Sequence, residues 1–235
     1  MTERADLRAH GPSGILRPGI RTYKPRRTRI TERQERAFTE QASFLLPVDN
    51  APIDFAVTWG FGVPVILEIG FGDGLATASM AAADPSTGIL AIDVHTPGVG
   101  GLLASLGDAS LENVRVMEAD ALVVLTRMID PGSLHGVRTY FPDPWPKARH
   151  HKRRIVQPDV LDLIHSRLRS DGFWHIATDW AEYADAIQSC FGEHTGWTGG
   201  VVPRPPWRPV TRYERRALLE GRSITDLVFH PVEVA

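Results

Sequence analysis

The chain has 235 residues, 43% of them hydrophobic, with 26 basic and 28 acidic side chains and a formal net charge of −2. That is enough for one sizeable core, and a single large domain is favoured over two. No apolar run approaches the ~18 residues that a membrane span needs, the mixed-charge start Met1 to Asp6 is not a secretory signal, and the single cysteine, Cys190, excludes an internal disulfide and speaks against a cysteine-based zinc site.

These bounds fit a cytoplasmic protein without membrane association. The balanced total hides a local asymmetry. Residues 1–36 carry Arg4, Arg8, Arg17, Arg21, Lys24, Arg26, Arg27, Arg29, Arg33 and Arg36 against Glu3, Asp6, Glu32 and Glu35, about +6 on an arm rich in Gly and Pro. We expect residues 1–30 to be a flexible basic arm and 31–235 a single domain. A solvated tail is the simpler reading of the arm; ordering on nucleic acid is the functional one. Thr31, with Gln34 three residues later, predicts a capped helix from there to about Phe44.

From residue 64 the pattern is regular. Strand-like runs at 64–69, 88–93, 113–117, 136–141 and 172–177 alternate with helical patterns at 75–83, 99–107, 120–129, 157–169 and 180–191. Five such alternations predict an α/β fold with a doubly wound, mostly parallel sheet, and ligands at the strand C-terminal ends. Cys190 falls on the last helical pattern with Tyr183, Ile187 and Phe191, where packing is its default role. Trp197 to Val202 and Ile224 to Phe229, with a loop from Pro203 to Arg212 between them, predict an antiparallel strand pair closing the sheet.

The first strand ends in Glu68-Ile69-Gly70-Phe71-Gly72-Asp73-Gly74. Gly70, Gly72 and Gly74 permit tight turning and close approach of a ligand. Asp93, nineteen residues after Gly74, ends the second strand, where a carboxylate can accept both hydroxyls of a ribose. A nicotinamide site shares these features, but here the spacing is G-x-G-x-G, and Glu68 would repel a pyrophosphate while suiting an ammonium and a sulfonium. The pattern resembles the first motif of S-adenosylmethionine-dependent methyltransferases, which implies a Rossmann-like class I fold. Asp120, after the third strand, would then face the adenine amino group; capping the next helix is its alternative.

After the fourth strand comes Tyr140-Phe141-Pro142-Asp143-Pro144-Trp145-Pro146-Lys147, then Ala148-Arg149-His150-His151-Lys152-Arg153-Arg154. Three prolines forbid helix and hold Asp143 in a stiff loop at the ligand edge. Five cations in the eight residues 147–154 suit a polyanion. Adjacent histidines without thiolates do not suggest zinc, and no metal site is expected. A small-molecule methyltransferase has no use for these cations, and a purely RNA-binding protein has none for the strand-tip carboxylates.

This segment resembles the signature of the bacterial single-chain tRNA (guanine-N7-)-methyltransferases. Leu67 to Gly72, Asp93 to Gly100, Ala177 to Trp180 and Arg208 to Glu214 support the likeness, which spans about residue 20 to the end. It implies methylation of N7 of guanine 46 in the tRNA variable loop with S-adenosylmethionine as donor, by a monomer without an obligatory protein partner. Carried over by motif, Glu68, Asp93, Asp120 and Asp143 line the donor site, and Asp143 is the catalytic residue. Lys147, Asp179, Thr211, Arg212, Tyr213 and Glu214 are substrate contacts, and the stretch from Arg149 through His150, His151, Lys152 and Arg153 to Arg154 contacts RNA. Asp93 replaces a frequent Glu, and Thr-Arg-Tyr-Glu replaces Thr-Lys-Phe-Glu. Trp145, Trp180 and Tyr213 are candidates to stack on a guanine drawn from its stack; for each, plain packing is the simpler reading.

Overall fold

Four parallel strands form the centre of the fold, and the first two are buried along almost their whole length, which is why they read as near-continuous apolar runs. In the computed structural model, which describes residues 21–23 and 29–232, they are β1 (Val65–Ile69), β2 (Gly88–Asp93), β4 (Leu134–Tyr140) and β5 (Leu168–Thr178). With β3 (Val114–Glu118), β6 (Trp197–Val202) and β7 (Thr225–Pro231) they form one seven-stranded sheet in the order β3-β2-β1-β4-β5-β7-β6. The first five strands run parallel; β7 pairs antiparallel with β5, and β6 antiparallel with β7. The chain moves outward from β1 through β2 to β3, then returns to place β4 on the other side. The order therefore reverses between β1 and β4, the switch point where such sheets bind ligands.

The helices expected between the strands are present: α3 (Leu75–Ala83), α4 (Thr96–Asp108), α5 (Ala121–Arg127), α6 (Pro158–Arg167) and α7 (Ala181–Gly192). Near the N-terminus α1 (Glu32–Glu40) carries the predicted capping box between Thr31 and Gln34, and it ends before a short 3-10 turn at Ala42–Phe44. It packs on α4, where Gln34 donates to the Pro97 carbonyl at 2.8 Å.

Three departures have physical causes. The helix expected to run to residue 169 stops at Arg167, because Leu168 is extended and pairs with Leu134 across an irregularity in the β4–β5 register. A five-residue helix, α2 (Phe55–Trp59), capped by Asp54, is too short to show a period. Where the loop expected after β6 ends, at Arg212, the structure has a helix not expected from the sequence, α8 (Arg212–Leu219), capped by Thr211. Thr211 to Glu214 has the spacing of a helix start, the signal that could have located it. Among the described residues no helix is long and apolar enough to cross a membrane. The arm expected over residues 1–30 lies outside the described residues except for 21–23, 29 and 30.

Candidate active site

A cavity of about 720 Å³ opens at the C-terminal ends of the parallel strands. Its floor is the glycine loop. Gly70, Gly72 and Gly74 all have positive φ, near 75°, 70° and 78°, but they serve different purposes. Gly70 borders the cavity, and a Cβ there would meet nothing within 4 Å, so its bare backbone is open to a ligand. Gly72 lies under the Tyr213 ring, 3.3 Å from where its Cβ would be. Gly74 does not line the cavity. A Cβ there would come within 2.5 Å of Leu102 Cβ, so this glycine lets α3 pack against α4 and is not the cofactor contact expected of it.

The expected carboxylates occupy three environments. Asp93 and Asp120 line the cavity. The two oxygens of Asp93 accept backbone N–H bonds from Gly72 (2.8 Å) and His95 (2.9 Å), which ties the glycine loop to β2. Burial raises the Asp93 pKa while those N–H groups oppose the rise. Asp120 caps α5 by accepting from the Leu122 N–H at 3.0 Å, so the capping and the ligand-facing readings hold together. Its pKa too is raised by burial.

Glu68 lies beneath the loop, 2% exposed and outside the cavity lining. Burial pushes its carboxyl up to about 7, opposed chiefly by Arg138, its neighbour in the β1–β4 register. Glu68 Oε2 is buried with no hydrogen-bond partner among the described residues. A buried carboxylate oxygen left this way suits a site completed by a cationic ligand.

Asp143 lines the cavity from the loop after β4. Two residues of that loop, Phe141 (φ 52°) and Trp145 (φ 46°), sit in the left-handed region, which costs about 1–3 kcal/mol each for a non-glycine residue. Trp145 is held there by its surroundings: 5% exposed, it lies under the Arg153 guanidinium at 3.6 Å, and its Nε1–H donates to the Thr22 carbonyl at 3.2 Å. It cannot stack on a base in this conformation. Arg153 in turn donates to the carbonyls of Arg21 (2.9 Å) and Tyr23 (3.2 Å). Residues 21–23 are thereby laid along the cavity, which all three line, a contact that sequence reasoning missed.

The basic stretch forms a 3-10 helix over Ala148–Arg153, and its residues separate by environment. Lys147, Arg149 and Lys152 are exposed, while His150 and His151 are half-buried. Arg154 points inward, 2% exposed. It donates to the Pro144 carbonyl (2.9 Å), pairs in a fork with Glu182, and lies over the Tyr183 ring. It braces the proline loop from behind, which corrects its assignment to an RNA-contacting surface.

Asp179, the residue after β5, also lines the cavity and is bound by Arg222 at 3.0 Å. Arg222 and Arg216 also line the cavity, and neither was singled out from sequence. In the Thr-Arg-Tyr-Glu segment the four side chains diverge. The Thr211 hydroxyl caps α8, and Glu214 is 3% exposed and ion-paired with Arg204 and Arg208, so neither presents its side chain as a substrate contact. Arg212 reaches toward Asp73 (3.7 Å), and Tyr213 faces the cavity, stacked on Phe141 at 6.4 Å and 24°. Trp180 also lines it. No cluster of metal-ligating side chains occurs among the described residues.

A family model described as "Putative methyltransferase" matches residues 63–227. The chain is 47% identical over 220 residues to a tRNA (guanine-N(7)-)-methyltransferase of Streptomyces avermitilis, covering 91% of this chain and 76% of that protein. To the protein of the same name from Streptomyces coelicolor it is 46% identical over 221 residues, covering 91% and 82%. Among solved structures, an rRNA methylase from Streptococcus thermophilus superposes with a TM-score of 0.50 at 14% identity, over 88% of this chain and all of that one, a likeness of fold.

Proposed function

We propose, for a chain that belongs to the tRNA (guanine-N(7)-)-methyltransferase family, that it transfers a methyl group from S-adenosylmethionine to N7 of a guanine in tRNA, at position 46 of the variable loop. The observation that carries this reading is one cavity at the strand ends lined by Asp93, Asp120, Asp143, Asp179 and a stacked aromatic pair, with exposed Lys147, Arg149 and Lys152 following its proline loop in the chain.

The donor end of the cavity suits a cationic nucleoside. Asp93 keeps lone pairs for ribose hydroxyls beyond those used by Gly72 and His95, and Asp120, which lines the same cavity, is the carboxylate we assign to the adenine amino group. Open backbone at Gly70 allows close approach, and Glu68 beneath supplies negative charge once ionised. When bound, S-adenosylmethionine supplies an electrophilic methyl group on a sulfonium.

The acceptor needs orientation more than activation. Guanine N7 already presents a lone pair, so no general base is required. Positive charge grows on the imidazole edge of the purine as N7 attacks. Asp143, fixed between two prolines on the cavity wall, is placed to stabilise that charge. Asp179, oriented by Arg222, can hold the Watson–Crick edge or the donor amine side of the base. Phe141 and Tyr213 form an apolar wall that excludes water and positions the ring. Lys147, Arg149 and Lys152 are exposed, and as phosphate contacts they call for a steep loss of tRNA affinity between low and physiological salt.

The test is transfer of labelled methyl from S-adenosylmethionine to unmodified tRNA, with mass-spectrometric nucleoside analysis and mapping of the modified fragment. N7-methylguanosine at the variable loop is expected, reduced on the order of 10²-fold or more in Asp143→Ala. A different methylated nucleoside would retire the proposed acceptor atom. Donor binding without any tRNA methylation would move a small-molecule acceptor to the front.

A further inference from the structure

Arg208 plays no part in the reaction as described, yet it is among the most deeply buried side chains, with no accessible surface. It lies between β6 and α8. Its Nε and Nη2 donate to Asp226 Oδ1 and Oδ2 at 2.7 and 2.9 Å, and its Nη1 donates to Glu214 Oε2 at 2.6 Å. Asp226 belongs to β7 and Glu214 to the first turn of α8. Asp226 Oδ1 also lies 2.8 Å from His175 Nε2, and His175 Nδ1 lies 3.0 Å from the Tyr140 hydroxyl.

The protons of this chain can be assigned. Burial lowers the His175 pKa and raises that of Tyr140, so the imidazole is neutral and the phenol protonated. Tyr140 O–H then donates to Nδ1, and Nε2–H donates to Asp226. Arg204, 3.3 Å from Glu214, balances two carboxylates with two guanidiniums. Replacing such a network with apolar residues can be neutral for stability, so its burial is not in itself evidence of stabilisation.

The geometry it fixes borders the reaction. The Arg208 guanidinium lies 5.7 Å from the Tyr140 ring centre and 5.9 Å from that of Phe141, the two residues before Pro142 and Asp143. Next to Glu214 stands Tyr213, which stacks on Phe141 and rests against Gly72 of the glycine loop. One side chain thus joins β7, the first turn of α8 and the strained end of β4. Its planar fork sets the angle between its two carboxylate partners, which a lysine ammonium cannot do.

We infer that Arg208 is a positioning residue for methyl transfer: shared between Asp226 and Glu214 beneath Tyr140 and Phe141, it fixes the Phe141–Tyr213 pair and so the place where the acceptor base meets Asp143. This rests on the reaction proposed above. The test uses Arg208→Lys, which keeps the charge and loses the fork, and Glu214→Gln, which leaves the Arg208–Asp226 pair intact.

For a folded Arg208→Lys, S-adenosylmethionine affinity by calorimetry should stay within about twofold while kcat on tRNA falls on the order of 10²-fold. Backbone hydrogen exchange should rise in both 140–145 and 211–217. Glu214→Gln should raise exchange in 211–217 and lower kcat less. Unchanged kcat in folded Arg208→Lys overturns the inference. So does a parallel loss of donor affinity, melting temperature and kcat, the mark of general destabilisation. Should Arg208→Lys fail to fold, Glu214→Gln decides by kcat: a fall with donor affinity and melting temperature kept supports the inference, and an unchanged kcat overturns it. The exchange arm needs no tRNA, so absence of tRNA methylation in the wild type counts against the reaction, whereas exchange confined to one segment in Arg208→Lys counts against the coupling.

Discussion

At the scale of single residues, burial decides which side chains can act. Glu68 and Asp93 lie near the C-terminal ends of neighbouring strands, but only Asp93 reaches the cavity, while burial raises the Glu68 pKa to about 7. Its folded pKa, about 7, lies above the ordinary 4.5, so its contribution to stability is full below pH 4.5 and is lost as pH rises through 7. A cationic ligand favours the opposite, ionised state. Binding of S-adenosylmethionine should therefore release a proton below pH 7 and tighten as pH rises from 6 to 8. Calorimetry in two buffers of different ionisation heat checks this, and Glu68→Gln should abolish the buffer dependence.

The aromatic residues part in the same way. Trp145→Ala removes a buried ring packed under Arg153 and should destabilise the fold by roughly 3 kcal/mol, with donor and tRNA binding falling together. Tyr213→Ala should leave the melting temperature nearly unchanged while tRNA turnover drops. If both variants lose stability equally, Tyr213 is only packing.

At the scale of elements, the segment from Lys147 to Arg154 contains two kinds of cation. Arg149 and Lys152 are on the outside of the 3-10 turn, and Arg154 is buried against Pro144, Glu182 and Tyr183. Arg149→Ala and Lys152→Ala should each reduce the slope of log affinity for tRNA against log salt by about 1. Arg154→Ala should leave that slope alone and lower thermal stability by about 2 kcal/mol, through lost packing and a freed proline loop. Binding titrations at four salt concentrations beside thermal melts separate the two. A reduced slope in Arg154→Ala would mean that the side chain swings outward on the RNA.

At the scale of the whole molecule, the neutral His175 links pH to the integrity of the sheet's antiparallel end. Burial holds its folded pKa below the ordinary 6.5, with Asp226 opposing. The unfolded chain therefore binds more protons in the window just below 6.5, and stability must fall as pH falls through it. Protonation would also cost Nδ1 its acceptor role toward Tyr140. Thermal melts between pH 7 and 5 should show a declining limb that His175→Gln flattens; an unchanged limb would place the pH sensitivity elsewhere.

Read alone, the sequence determined what contiguous residues encode: the alternation of strands and helices, the capping box at Thr31, the glycine loop, and the acids at the strand ends. Each is a local preference of backbone and period, so neighbours in the chain suffice to write it. The tertiary structure decided the fate of individual charged and aromatic side chains. Gly74 packs a helix pair instead of facing the cavity, Arg154 and Glu214 turn inward, Trp145 is covered, and Arg222 joins the wall. Those outcomes depend on contacts between distant residues, such as Arg153 with the Arg21 carbonyl 132 positions away. Desolvation and ion pairing are set by what comes to lie beside a group in space, and residue type and spacing along the chain carry no record of that.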